Sequence, residues 1–307
     1  MTAVSAPARS DARTPNPIVR LAMIEFGRSL RRSALWIGVV LFAVFVIDSD
    51  RRTDGFSADR YELIGFFSFA PLALCAFLIG VRTGGRDRSD TAPLAEAAQL
   101  DDDDRALARL SVAVAPIIVA VIGAVAIAML SRWRGGYGIG DEPHRRDDAL
   151  HSLPELLQGP VLVAAFTVGG VAAGRAFKRP FAPILIGGLA WFVFVMAYWA
   201  WQHAVLRTMV PFQTMPIDID LPAGVGPASF PSDWLAAAPN EFNEVWSRQI
   251  VHVPTAIGHD IYLVGLVAVL SGLAVRGRRG KLMLGIGFAV AICAVLFQLA
   301  VAPSGVA

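Results

Sequence analysis

Seven long apolar stretches constrain this chain more than any other feature. They cover residues 33–47, 63–81, 110–130, 156–173, 181–206, 257–275 and 282–301. A helix needs about 20 mostly apolar residues to cross the hydrocarbon core of a bilayer. Charged residues make up only 17% of the 307 residues, whereas a soluble domain has about a quarter. We therefore expect an all-α polytopic membrane protein with about seven transmembrane helices (six to seven).

Lysine and arginine residues near the ends of these stretches predict the orientation. Four basic groups lie in alternate connections, so they share one side of the membrane, and cationic loops favour the cytosolic side. The groups are Arg20, Arg28, Arg31 and Arg32; Arg82, Arg86 and Arg88; Arg175, Lys178 and Arg179; and Arg276, Arg278, Arg279 and Lys281. We expect a multi-pass protein of the cell (plasma) membrane with its N-terminus in the cytoplasm and its C-terminus outside.

The chain divides into one large domain and two tails. Residues 1–17 are polar and have no signal-peptide cleavage pattern, so we expect a disordered cytosolic tail. Residues 18–302 are expected to form a single transmembrane domain, and residues 303–307 a short tail. The proline-rich residues 207–256 predict a small extracellular cap, which includes a short helix after Ser232.

The approach to the first span predicts an interfacial elbow helix. In "NPIVRLAMIEFGRSLRRSALW" the apolar residues share one side, and Glu25 lies one turn before Arg28. The alternative is a simple basic flank of the first span.

Residues 84–110, "GGRDRSDTAPLAEAAQLDDDDRALARL", are polar although apolar spans lie on both sides. Asp90 and Thr91 are good N-cap residues, and strong helix formers follow from Leu94, so a short cytosolic helix is predicted over about residues 90–100. The aspartates at 101–104 precede the third span, where acids complement the helix dipole. So short a helix is unstable alone in water. It is either a docking helix for a partner or part of a solvated loop.

This order of elements resembles the membrane subunit of type-2 ABC exporters, as in high-GC Gram-positive bacteria. The late segment "GHDIYLVGLVAVL" (residues 258–270) is similar to subunits of that group. The resemblance implies a permease that binds a separate ABC-type ATPase subunit and a second permease subunit, in a homo- or heterodimer. ATP and Mg would bind the ATPase, with no enzymatic activity and no cofactor in this chain. The residues assigned to ATPase coupling are Arg88, Asp90, Thr91, Leu94, Glu96, Ala97, Asp101, Asp104 and Arg105.

Two features depart from that family. The family tends to have a Pro-Val-Ser/Arg sequence where this chain has four aspartates, which would make the docking surface acidic. The family also commonly has six spans and a cytosolic C-terminus, whereas seven spans place the C-terminus outside.

The motif content indicates no catalytic chemistry. The chain has no G-x-x-x-x-G-K-[ST], G-x-S-x-G, H-E-x-x-H or C-x-x-C motif. The net charge of +2 is too small to suggest nucleic acid. The histidine spacing matches no metal site, so no metal is expected.

Residues that could form an outer gate or substrate path are Trp199, His203, His259 and Asp260. The alternatives are an aromatic belt and a wetted interfacial pair.

Gly170 and Gly174 form a G-x-x-x-G pattern that permits close helix contact, either within the chain or at a dimer seam.

Two rival functions remain open. One is an intramembrane enzyme that acts on lipid at the outer face through His203, His252, His259 or Asp260. The other is a non-transporting membrane sensor or anchor.

Overall fold

The computed structural model describes residues 16–51, 59–65, 67–88, 100–179, 181–200, 209–211, 217–239 and 244–302. About 74% of the structure is helical. Six helical segments are long and apolar enough to cross a membrane: Ser33–Arg51, Arg60–Gly84, Asp102–Arg134, Leu153–Ala176, Val253–Val275 and Arg278–Val301. The expected all-α polytopic membrane fold is therefore confirmed.

Ten α-helices are described. They are α1 (Pro17–Leu30), α2 (Ser33–Arg51), α3 (Asp59–Gly65), α4 (Ala70–Gly84), α5 (Asp102–Leu110), α6 (Val114–Arg134), α7 (Leu153–Ala176), α8 (Ala182–Ala200), α9 (Val253–Val275) and α10 (Arg278–Val301). Short 3-10 turns at Phe67–Phe69 and Ser111–Ala113 connect α3 to α4 and α5 to α6. The predicted stretch 181–206 corresponds to α8, which is apolar over its described length. Residues 201–208 lie outside the described part.

The predicted elbow helix is present as α1. It begins after Asn16, whose side chain accepts a hydrogen bond from the Ile18 amide at 3.0 Å, and Pro17 occupies its first turn. Both features favour a helix start, because the first amides of a helix have no partner within it. The predicted pair between Arg28 and Glu25 is also present, at 3.1 Å.

The helix of the third span begins at the aspartates, as predicted. Its apolar stretch begins at residue 110, whereas the helical segment runs over Asp102–Arg134, and Asp101 caps it by accepting a hydrogen bond from the Asp104 amide at 2.6 Å. Its 33 residues measure roughly 50 Å at the α-helical rise, whereas the hydrocarbon core is about 30 Å thick. The charged helix α5 therefore extends beyond the apolar region.

Helices α4, α7 and α9 form the centre of the bundle, with α2, α6, α8 and α10 around them. Only 17% of the apolar window of α2 and 22% of that of α10 is buried. These two helices therefore turn most of their apolar side chains to the surroundings, as expected for a protein solvated by lipid.

Four glycines allow α4 and α7 to approach closely. A Cβ atom on Gly80 would lie 2.1 Å from the Thr167 carbonyl oxygen, and one on Gly170 would lie 2.2 Å from the Phe77 carbonyl oxygen. Gly84 and Gly174 meet the opposite backbone in the same way. The Gly170–Gly174 pattern therefore packs within the chain, and its partner is a second G-x-x-x-G pattern on α4.

The cap consists of two small antiparallel sheets. β1 (Tyr137–Ile139) pairs with β2 (Arg146–Ala149), and β3 (Ile217–Asp220), β5 (Ser247–Ile250) and β4 (Leu235–Ala237) form a second sheet in that order. Part of the predicted cap helix after Ser232 is β4, so that prediction was wrong. The reason is tertiary: β4 hydrogen-bonds to β5, and Phe230, Trp234 and Trp246 pack together beside it.

The bundle thus has two ends, which we name by their contents. The N-terminal face carries α1, the end of α4, the start of α5, the end of α7 and the turn between α9 and α10. The cap face carries the strands, the ends of α2 and α6 and the starts of α7 and α9. Ion pairs and hydrogen bonds join the elements at each end.

Candidate functional site at the N-terminal face

The predicted coupling segment is described only at its two edges. Arg88 ends a 3-10 turn, Gly85–Arg88, that follows α4 directly. Asp90, Thr91, Leu94, Glu96 and Ala97 lie outside the described residues. Asp101, Asp104 and Arg105 begin α5. The structure therefore defines what residues 89–99 are attached to on either side.

On the α4 side, the attachment is a buried acid. Glu25 of α1 is only 1% exposed, and its two carboxylate oxygens accept hydrogen bonds from Arg86 Nη1 at 2.5 and 2.6 Å. Arg28 donates to the same carboxylate at 3.1 Å. We call Glu25, Arg28 and Arg86 the Glu25 cluster. It fixes the end of α4 to the elbow helix, because a buried carboxylate is stable only when it is paired.

Further polar contacts hold α1 in place. Ser29 Oγ donates to the Val112 carbonyl at 3.2 Å, and Ser111 Oγ donates to the Ala22 carbonyl at 2.9 Å. Arg32, just after α1, donates to the Ile79 carbonyl of α4 at 3.3 Å. Burial, with the nearby positive charge of Arg86, lowers the pKa of Arg32 to about 10. The elbow helix is thus bound to both neighbouring spans.

On the α5 side, the attachment is the aspartate run. Asp102 pairs with Arg175 at the end of α7 at 2.7 Å, and Asp104 pairs with Arg279 at the start of α10 at 2.5 Å. Asp103 accepts the Gly277 amide at 3.1 Å. We call Asp101, Asp102, Asp103 and Asp104, with these partners, the aspartate cluster.

The aspartate cluster changes the interpretation of this run. The sequence suggested two roles, helix start and docking surface, and the first is confirmed by the Asp101 cap. The contacts to Arg175, Gly277 and Arg279 are a role that was not predicted. Arg105 pairs with Asp102 within α5, at 3.6 Å. Docking by Asp101, Asp104 and Arg105 stays a prediction. All three residues already have partners within the chain.

The structure gives the positions of three of the four predicted outer-gate residues. Trp199 lies in the last turn of α8, and His203 lies outside the described residues. His259 is completely buried, with its ring 5.7 Å from that of Tyr262, whereas Asp260 is partly exposed. Adjacent residues on a helix do not face each other. His259 and Asp260 therefore do not act as one wetted pair, and that alternative was wrong for His259.

A polar network at the cap face was missed by the sequence analysis. Tyr61 Oη donates to Glu155 Oε1 at 2.7 Å, and Glu155 Oε2 accepts the Ser152 amide at 2.6 Å. The His151 ring stacks on that of Tyr61 at 4.0 Å, and His151 Nε2 lies 2.7 Å from the Tyr61 carbonyl oxygen. A carbonyl only accepts, so Nε2 carries the proton. The one available signal was Ser152-x-x-Glu155, a capping-box pattern at the start of α7.

This network has the composition of a catalytic site but not the accessibility. His151 Nδ1 lies 3.4 Å from Ser131 Oγ, which also donates to the Ile127 carbonyl at 2.9 Å. Ser131 and Tyr61 are 2% and 1% exposed, which leaves neither hydroxyl open to bulk solvent. Burial lowers the pKa of His151, so the ring is neutral at pH 7. The network therefore joins α3, α6 and α7.

A cavity of about 400 Å³ lies between the two sheets of the cap. The Arg248 guanidinium stacks on the Trp234 ring at 4.1 Å, and Arg248 Nε has no hydrogen-bond partner among the described residues. Gln249 also lines the cavity, and Tyr61 lies at its base. Arg248 would bind an anionic group of a small ligand there, although Asp148 and Asp233 also line the cavity.

Comparison with known proteins identifies no family for this chain. No protein-family model matches the chain, and no curated protein matches it significantly. The class that the fold defines is a polytopic helical membrane protein with a small extramembrane cap.

Proposed function

We propose that the chain is the permease subunit of an ATP-driven ABC exporter. It forms the translocation path and binds a separate ABC-type ATPase subunit through the loop after the second span. A second permease subunit completes the pathway, as a homo- or heterodimer. ATP hydrolysis takes place on the ATPase, and this chain performs no covalent chemistry.

One observation carries this proposal: clusters of buried or paired charges flank residues 89–99 on both sides. The Glu25 cluster fixes the preceding residues to α1. The aspartate cluster fixes the following residues to α7 and to the turn between α9 and α10. A solvated loop needs neither attachment, whereas a segment that transmits force needs both.

The clusters suggest how ATP-driven movement would be transmitted. A displacement of residues 89–99 by the ATPase would move α1 through Arg86 and would move α7 and α10 through Asp102 and Asp104. ATP binding would thereby favour one of two arrangements of the bundle, and it needs only a differential affinity for those arrangements. The scarcity of charge within the spans favours a hydrophobic or amphipathic cargo.

The proposed location is the plasma membrane, with the N-terminal face in the cytoplasm. The four basic groups at that face support this orientation. The cap and its cavity are then extracellular.

Co-purification tests this proposal. The tagged chain is extracted from its native membrane in a mild detergent, and every stoichiometric companion is identified by mass spectrometry. The expected result is an ABC-type ATPase with the native chain and its loss with Leu94→Asp.

Leu153→Asp is the matched control, because Leu153 is 70% exposed at the cap face and begins α7. It should retain the ATPase. If no ATPase accompanies the native chain under any mild condition, the exporter proposal fails.

A second candidate function, a sensor, is favoured by the cap cavity alone. The Arg248 guanidinium and the Trp234 ring would hold a small anionic ligand there, and the bundle would pass the signal across the membrane. A ligand-induced rise in Tm that Arg248→Gln abolishes, in a chain that binds no ATPase, would favour the sensor.

A further inference from the structure

A second cavity, of about 550 Å³, lies at the N-terminal face between α7, α9 and α10. Its walls are apolar and include Gly169, Ala173, Ala176, Leu270, Leu273 and Leu284. Gly169 and Ala176 are seven residues apart on α7, so the cavity extends roughly 10 Å along the helix. A groove of this length matches part of an acyl chain that lies along the bundle.

Two cations lie at the basic end of this cavity, Arg276 and Lys281. Neither forms an ion pair with any carboxylate in the described part of the chain. The aspartates nearby bind Arg105, Arg175, Arg279 and the Gly277 amide instead. Arg276 Nη2 donates to the Arg175 carbonyl at 2.8 Å, which orients the guanidinium and leaves its other donors for a ligand.

The backbone at Arg276 is strained. Its φ of 67° and ψ of −46° form a γ-turn, in which the Gly277 amide donates to the Val275 carbonyl at 2.9 Å. This turn is rare for a residue with a side chain, and glycine would adopt it more readily. Such strain is found mainly where the side chain has a function. The arginine at this position is therefore explained by what its guanidinium does at the cavity.

We propose that this cavity binds an anionic phospholipid, with an acyl chain between α7, α9 and α10 and the headgroup phosphate on Arg276 and Lys281. Basic pockets between transmembrane helices suit anionic headgroups. The Arg276 and Lys281 charges select a net negative headgroup over a zwitterionic one, whose own cation competes for the phosphate. The proposal is independent of the transport function.

Native mass spectrometry of the purified full-length chain tests the proposal. The chain is incubated in detergent with dioleoyl-phosphatidylglycerol or with dioleoyl-phosphatidylcholine, and bound lipids are counted. The expected result is one retained phosphatidylglycerol and weaker binding of phosphatidylcholine. Glycerol phosphate, which lacks acyl chains, should not displace the lipid.

Three variants locate the site. Arg276→Gln with Lys281→Gln should weaken phosphatidylglycerol binding about 25-fold, at about fivefold for each of the two charges near a membrane surface. Lys178→Gln with Arg278→Gln removes the same charge from exposed positions outside the cavity and should change binding less than twofold. Ala176→Trp fills the cavity without changing the charge and should also abolish selective retention.

Four outcomes would overturn the proposal. The first is equal retention of both lipids by the native chain. The second is an equal loss of binding in the two charge-removal variants, because the cations would then act only as a general basic surface. The third is unchanged binding in Ala176→Trp, since the acyl chain would then lie elsewhere. A dimer that dissociates in Ala176→Trp would assign the cavity to a second copy of the chain instead, and the proposal would be wrong.

Discussion

Glu25 is the residue on which the proposed coupling most depends. It is the only acid in α1, it is buried, and it binds two arginines from different parts of the chain. The sequence predicted its pairing with Arg28, because the two are one helical turn apart. It could not predict Arg86, which is 61 residues away and meets Glu25 only through the packing of α1 on α4.

Glu25→Gln should destabilise the purified chain by about 1.5–3 kcal/mol, the range for hydrogen bonds to charged groups. The amide keeps the shape of the side chain but removes the charge that Arg86 and Arg28 need. Thermal unfolding in detergent measures the effect as a lower Tm. The exposed Glu142 provides the control Glu142→Gln, and equal stability of the two variants would contradict the role of Glu25.

His151 should make the stability of the cap face depend on pH. Burial lowers the pKa of His151, so the folded chain favours the neutral ring. Above a pH of about 6.5, the ordinary pKa of histidine, both states are neutral and stability is unaffected. Below it the unfolded chain takes up a proton that the folded chain does not, so stability falls until the lowered pKa is reached.

We expect the Tm to fall between pH 7.5 and pH 5, and to fall less steeply in His151→Gln. The glutamine can still donate to the Tyr61 carbonyl but does not titrate. His252, whose pKa burial also lowers, is present in both proteins and provides a common background. Identical pH profiles for the two proteins would show that His151 does not titrate in this way.

At the scale of elements, the contact between α4 and α7 depends on backbone approach. The sequence indicated one half of it, the Gly170–Gly174 pattern, and left open whether its partner was another copy of the chain. Gly80 and Gly84 form the other half, in a span where "GVRTGG" also marks the helix end. One residue pattern could not identify the pairing, because small residues permit close contact with any suitable helix.

Gly80→Ala should separate α4 from α7 and destabilise the bundle by about 1–3 kcal/mol, the usual cost of overpacking. Its Cβ would lie 2.1 Å from the Thr167 carbonyl oxygen, and backbone cannot move aside as a flexible side chain can. Gly285→Ala is the control, since a Cβ there meets nothing within 4 Å. A Gly80→Ala chain with the Tm of Gly285→Ala would contradict this packing.

Element boundaries could be predicted where local chemistry decides them. They could not be predicted where tertiary contacts decide them. Asn16 and Pro17 began α1 as their residue types favour. By contrast, the segment after Ser232 has helix-forming alanines, yet Leu235–Ala237 pairs with β5 and is a strand. The acids at 101–104 were correctly placed at a helix start, but their partners on α7, on α10 and in the turn between α9 and α10 come from distant sequence.

At the scale of the whole molecule, the apolar spans could be predicted, because bilayer thickness dictates their length. The attachments of residues 89–99 could not, since they depend on which cations the bundle brings to the N-terminal face. The two clusters connect that segment to α1, α7 and α10. We propose that movement of the segment reaches these helices through the two clusters.

Hydrogen–deuterium exchange of the complex with the proposed ATPase tests this proposal. Exchange is compared between the nucleotide-free and ATP-trapped states, in the native chain and in Arg86→Gln with Asp104→Asn. We expect ATP-dependent changes in α1 and in the turn between α9 and α10, and their loss in the variant while the ATPase stays bound. The same ATP-dependent changes in the variant, or none in the native chain, would contradict it.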